Sequence, residues 1–352
     1  MSSWRSKSAF GTIKSKNQEA IVTVNTEGLK TWSTFLRNRK RPSEYEVVTT
    51  NLSSRTRHAD QAYELSPAPL LPMNVWYQKN VSQSPLQHPD WEQFRDPDEV
   101  VYRTYTRLQD GQEEYVDGLL DEYDQLGHDA SLAPEWLAAL ERFYTPARYM
   151  MSALQMGSAY LVQMAPASTI TACAGFQEGD DFRWLSRVAY RTRALQIAHP
   201  LRGFVTSERH SWEQEPAWQG LRELLERALI AYDWGESLVA INLVARPTAD
   251  EALRQLGRAA RKNGDTLLGL LIDNQLRDGE RSRRWSAGLV RFALEQPSNK
   301  AVIAGWIESW MPLARKALDI YCDALPDIDG ATELAKGNVA AFHRSLGVPP
   351  SI

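Results

Sequence analysis

Cysteine is almost missing from this 352-residue sequence: Cys173 and Cys322 are the only two, far apart and each in apolar surroundings. That excludes a disulfide framework and any cysteine-rich zinc site, and it points to reduced, buried thiols in a cytosolic protein. Uninterrupted apolar runs of ~18 residues are also lacking, and Met1-Ser2-Ser3-Trp4-Arg5 leads into no apolar stretch. Neither a membrane span nor a signal peptide is expected, so the reading is cytoplasmic. There is no Gly-x-Ser-x-Gly elbow and no glycine-rich phosphate loop, and neither cysteine has a basic partner nearby in sequence. A net charge of -4 gives no general case for nucleic acid. None of the six histidines (His58, His88, His128, His199, His210 and His343) has a glutamate three residues before it. The Glu-x-x-His pair of carboxylate-bridged di-iron bundles is therefore missing, and the histidines read as surface or capping residues.

What is present is unevenly spread. Residues 1–60 hold 11 Lys or Arg against 5 Asp or Glu. From Arg41 to Pro97 there are seven prolines and no glycine. Proline fixes its own φ and biases its predecessor away from helix, so residues 1–95 read as an extended, basic N-terminal arm. It is too apolar for a solvated tail, and Trp32, Tyr45, Trp76 and Tyr77 stand out as anchors for a partner surface. The basic run at 37–41 reads as docking on an acidic protein surface or plain solvation in preference to nucleic-acid binding.

From Asp96 the pattern is helical. Asp96, Pro97 and Glu99 read as N-cap, first and third positions of a helix. Val101, Tyr105, Leu108, Tyr115 and Leu119 fall on one helical face. Pro200, Pro216, Pro247 and Pro297 divide the remainder into pieces of helix length. Val302, Trp306, Trp310, Leu313, Ala317 and Ile320 form a bundle-facing stripe. The expected fold is all-α, a helical bundle over 96–326 without a visible catalytic site. Residues 327–352 read as a tail without clear period. Two functions fit these residues: an assembly subunit that embraces a partner, or a self-contained ferritin-like enzyme with unusual ligands.

Several collinear stretches carry a resemblance. They are Arg41-Pro42-Ser43-Glu44-Tyr45, Val101-Tyr102-Arg103-Thr104-Tyr105, Gln163-Met164-Ala165-Pro166-Ala167-Ser168-Thr169-Ile170, Ala189-Tyr190-Arg191-Thr192, Trp218-Gln219-Gly220-Leu221-Arg222, Asp233-Trp234-Gly235-Glu236 and Gly305-Trp306-Ile307-Glu308. From about Trp32 to Tyr321 the sequence resembles the hydroxylase β subunit of bacterial multicomponent monooxygenases, the toluene, alkene and isoprene group. The resemblance implies a ferritin-like bundle without a metal site, a structural and non-catalytic role, and α and γ subunits as partners in an (αβγ)2 assembly. It also implies that the di-iron centre lies in α, that no cofactor is held in this chain, and that an effector protein and a Rieske ferredoxin with its NAD(P)H-dependent reductase are transient partners. Neither nucleic acid nor membrane is implied. The reaction would be hydroxylation or epoxidation of a small aromatic or alkene hydrocarbon. The competing readings are an independent metal-dependent ferritin-like oxidoreductase and a helical scaffold or regulatory protein.

The same resemblance maps degenerate ligand positions onto this sequence. Arg148 takes the place of the first metal glutamate, Asp181 and Trp184 replace one Glu-x-x-His pair, Ser237 falls at the third position, and Gly279 and Ser282 replace the last pair. Four helices that should supply six ligands thus keep about one carboxylate. Arg148 and Asp181 are expected to form a charge pair in the vacated site.

Overall fold

The computed structural model describes residues 43–50, 52 and 70–348. Trp32, His58 and the basic run at 37–41 lie outside them. All the described elements are helical.

Two antiparallel hairpins make the bundle. In the first, α6 (Ala147–Met164) turns into α7 (Ser168–Ala198) at Pro166. Pro166 offers no N–H, and its predecessor Ala165 is extended (φ -56°, ψ 137°), so the helix stops there. In the second, α10 (Trp234–Leu238) starts under Asp233, whose carboxylate accepts from the N–H groups of Gly235 and Glu236 at 2.9 and 3.1 Å. It continues through a π-helical stretch, Val239–Ala245, into α11 (Arg246–Lys262), and then reverses into α12 (Thr266–Ala293).

Pro247 was expected to end a helix, yet the rod runs through it. A proline cannot donate to the carbonyl four residues back, here that of Leu243. The π-helical turn opens the ladder at this point, and His343 Nε2 donates to Leu243 O at 2.6 Å. His343 comes from α14 (Ala331–Ser345), inside the segment read as a tail. That reading is corrected: Ala331, Ala335, Val339 and His343 recur every four residues and are buried against α11 and α13. Its stripe of alanines and a histidine is too weakly apolar to register as periodic. Nor is His343 a surface or capping residue. Burial lowers its pKa, so the folded chain keeps the ring neutral while the unfolded chain takes up a proton first as pH falls below about 6.5. The contribution of His343 to stability therefore falls on acidification from pH 7 to 5. In His343→Gln, which retains a donor but does not titrate, that component of the pH dependence is expected to be lost in chemical denaturation.

Helix α13 (Asn299–Asp323) packs across α9 (Pro216–Ala228) and the π-helical stretch. A Cβ at Gly220 would lie 2.6 Å from Ala317 Cα, so glycine sets how closely α9 and α13 approach. The buried face of α13 is centred on Ile303, Ile307, Trp310, Ala314, Ala317 and Tyr321, and Trp306 and Leu313 flank it. Asp96 and Pro97 start a turn and not a helix: Asp96 accepts from Asp98 N and Val100 N, and Glu99 has φ +44°. Helix α3 (Tyr102–Gln125) begins one turn later. Its inner face is also rotated from the expected stripe: Gln109 and Val116 are buried, while Leu108 and Tyr115 are 47% and 43% exposed.

The turn before α12 carries the most deeply enclosed ion pair. Asp265 caps α12 through Leu268 N and accepts from Trp136 Nε1 at 2.9 Å. It also accepts from Arg191 Nη2 at 2.9 Å, and both side chains have no exposed surface. His128 Nε2 lies 3.2 Å away. Burial alone would raise this carboxyl's pKa, but Arg191 and the surrounding donors hold it well below the usual carboxylate range.

Candidate functional site

Halfway along the bundle, each of its four rods turns a polar side chain inward. Arg246 clamps Asp181, with Nη1 to Oδ1 at 2.8 Å and Nη2 to Oδ2 at 2.7 Å. Ser158 Oγ on α6 lies 2.9 Å from Asp181 Oδ2 and 3.2 Å from Arg246 Nη2. On α7, Gln177 Nε2 donates to Ser158 Oγ at 2.9 Å, and its amide pairs in both directions with Asn242 of the π-helical stretch at 3.1 and 3.0 Å. Asn242 Nδ2 donates to Ser286 Oγ on α12 at 2.9 Å, and Trp285 Nε1 donates to Gln177 Oε1 at 3.2 Å. All these residues are buried. Burial works against the Arg246 charge, yet Asp181 holds its pKa above the ordinary arginine value. Such a layer ties four helices together through buried hydrogen bonds.

The layer does not suit a di-iron centre. Such a site takes carboxylates and imidazoles from all four helices. Here one carboxylate is present, both its oxygens are occupied by a guanidinium, and the remaining groups are hydroxyls and amides. Among the described residues, no three His, Cys, Asp or Glu side chains converge to hold a metal ion.

Of the expected positions, Asp181 sits in this layer and Arg148 does not. The expected Arg148–Asp181 pair is corrected: Arg148 is partly exposed, lies over the Tyr149 ring and reaches Glu208 at 3.6 Å. Trp184 turns away from Asp181 and donates from Nε1 to Asp278 Oδ2 at 2.8 Å. Ser237 and Ser282 are buried, and the Ser282 carbonyl accepts from Ser286 Oγ at 2.6 Å. At Gly279 a Cβ would meet Asp250 Oδ2 at 2.5 Å, so the glycine makes room for that carboxylate. Sequence reasoning missed Arg246, Asn242, Gln177, Ser158 and Ser286. A signal existed: Asn242 and Arg246 are four residues apart within an otherwise apolar stretch, and so are Gln177 and Asp181, a spacing that puts each pair on one helix face.

The aromatic residues read as partner anchors pack at home where they are described. Tyr45 is 3% exposed, and its hydroxyl accepts from Asp96 N at 2.9 Å. Trp76 donates from Nε1 to Tyr160 at 3.2 Å and meets Tyr232 edge-on at 4.9 Å. The Tyr77 hydroxyl accepts from Gln163 Nε2. Nor is this segment extended throughout. Helix α1 (Glu44–Thr49) starts at a capping box of Ser43 and Glu46, and α2 (Pro72–Tyr77) runs on through a π-helical turn to Ser82. Beyond it, Ser84 bonds Asp233 at 2.8 Å and Asn299 exchanges hydrogen bonds with the Gln87 backbone. Residues 70–95 are thus part of the bundle's own packing. Leu70, Leu71, Met73 and Val75 are the exposed apolar groups there.

Residues 76–297 match the family model described as Methane/Phenol/Alkene Hydroxylase. The β subunit of the hydroxylase component of the toluene-4-monooxygenase system of Ectopseudomonas mendocina is 49% identical over 298 residues, 84% of this chain and 90% of that one. An oxygenase component of phenol 2-monooxygenase from Pseudomonas sp. (strain CF600) is 27% identical over 257 residues, 70% of this chain and 72% of its own. Among solved structures, a chain of toluene 4-monooxygenase with toluene bound in the resting active site superposes with a TM-score of 0.80 at 48% identity, covering 85% of this chain and 98% of that chain. By sequence match and fold together, this chain belongs to the methane/phenol/alkene hydroxylase family.

Proposed function

We propose that this chain is the non-catalytic β subunit of the hydroxylase component of a multicomponent monooxygenase. In this reading it assembles with α and γ subunits as (αβγ)2, and the di-iron centre lies in α. There O2 and reducing equivalents from NAD(P)H, delivered by a reductase and a Rieske ferredoxin, hydroxylate or epoxidise a small hydrocarbon. An effector protein docks transiently on the assembly, and the setting is the cytoplasm. Two observations support it: the relation to a hydroxylase β subunit and, above all, the Arg246–Asp181 clamp where a catalytic relative would need free carboxylates. The chain's part is structural. Partner anchoring, read from the sequence for Trp32, Tyr45, Trp76 and Tyr77, is proposed here for Trp32 and for the exposed Leu70, Leu71, Met73 and Val75.

The test is to purify the chain alone and co-expressed with its hydroxylase partners, and to measure iron and turnover in both. Iron and activity are expected only in the assembly. Single alanine substitutions of His88, His128, His199 and His210 should leave turnover per α-bound iron within about twofold, since none has ligand geometry. Stoichiometric iron in the isolated chain would overturn the proposal.

A further inference from the structure

Helices α13 and α14 pack against each other without filling the space between them: a cavity of about 140 Å³ lies there. One face of each helix supplies its walls. Met311, Arg315 and Leu318 of α13 stand at i, i+4 and i+7, and Lys336, Val339, Ala340 and His343 of α14 at i, i+3, i+4 and i+7. Folded interiors normally leave few voids larger than a water molecule. Here α14 offers only the short Ala340 side chain to this space, and Pro312, next to Met311, interrupts the α13 ladder at the same level.

The walls select by chemistry as well as by size. Met311, Leu318 and Val339 are buried and apolar, and His343 is the buried polar residue among the lining groups. Its Nε2 donates to the Leu243 carbonyl, which leaves Nδ1 as the unprotonated acceptor of the ring, and Nδ1 has no hydrogen-bond partner among the described residues. Burial, helped by the Arg315 charge, keeps that ring neutral. Lys336 is already countered by Asp319 and, at 3.6 Å, by Glu333. An anionic guest would have to compete with those carboxylates, whereas a neutral one would not. A cavity of about 150 Å³ lined by apolar side chains is large enough to bind benzene. A methionine thioether adds a favourable contact when the guest is aromatic.

We propose that the cavity between α13 and α14 is a binding site for one neutral, single-ring aromatic molecule, held among Met311, Leu318, Val339 and His343. The shared chemistry is an apolar ring of benzene size, and its source is either an aromatic hydrocarbon or a phenol. A phenol adds one interaction, donation of its O–H to His343 Nδ1. Binding of the ring is a property of this chain alone and does not depend on its place in a hydroxylase.

Methyl NMR on the full-length chain with carbon-13 methionine labels tests this, the Met311 signal being assigned by its loss in Met311→Leu. Titration with toluene and, separately, with phenol should move the Met311 methyl saturably, with a Kd on the order of 1 mM or below. The signal of Met164, buried elsewhere in the bundle, should stay in place. Tighter binding of phenol identifies the hydroxyl on His343, and tighter binding of toluene identifies the hydrocarbon; either result supports the site. Ala340→Leu fills the cavity and should weaken binding by about tenfold or more. Ala340→Met is the second filling variant should the first not fold. No saturable Met311 shift with either probe, or unchanged affinity in every filling variant that folds, overturns the proposal.

Discussion

Arg246→Leu is expected to destabilise the chain by about 3–5 kcal/mol at pH 7, the largest effect of any single change in the polar layer. The substitution removes both donors that Arg246 presents to Asp181 and strands the carboxylate at the bundle centre with Ser158 as its remaining donor. The uncompensated charge accounts for the loss; the pair itself roughly breaks even against its desolvation. Asp181→Asn in the same chain should therefore recover part of the loss, because an amide needs no counter-charge. In a double-mutant cycle by chemical denaturation the two changes should couple by about 1–3 kcal/mol. Arg148→Leu should show no coupling to Asp181. Additive energies for Arg246 and Asp181, or coupling of Asp181 to Arg148, would refute the arrangement.

A comparable loss, about 3–5 kcal/mol, is expected for Asp265→Asn. This change leaves Arg191 fully buried without its fully buried counter-charge, with Asp129, also 2.9 Å from Nη2 but partly exposed, as the remaining one. Two other Arg191 nitrogens, Nε and Nη1, already lack hydrogen-bond partners, so the site has little to offer in compensation. The pH behaviour should change in parallel. The folded Asp265 carboxyl titrates well below the unfolded value of about 3.9, so its stabilisation is full above that value and is lost as pH falls further. Stability of the wild-type chain should decline between pH 4 and 2 by up to about 1.4 kcal/mol per unit from this group, a component missing in Asp265→Asn. Equal acid slopes for the two proteins would show that Asp265 does not carry it.

The helical class, the resemblance to a hydroxylase β subunit and the inward placement of Asp181 were legible in the sequence, because they rest on local spacing and on collinear residue runs. The helix stop at Pro166, where the preceding residue is forced to extend, is set equally locally. What failed depended on rotation about a helix axis or on contacts between distant segments. Arg148 and Arg246 are both arginines on bundle helices, and which of them reaches Asp181 is fixed by how the rods are turned against each other. The inner face of α3 was misread because periodicity finds apolar residues, while this helix turns Gln109 and Gln112 toward buried carboxylates. Pro247 was read as a break because its missing N–H is a local fact; that His343, almost a hundred residues later, takes up the Leu243 carbonyl is a tertiary one. The sequence by itself determined the fold class and the family, through residue types at short range. Only the tertiary structure decided which charges meet, because a buried charge is satisfied by whichever donor the packing brings within about 3 Å, and no spacing rule encodes that distance.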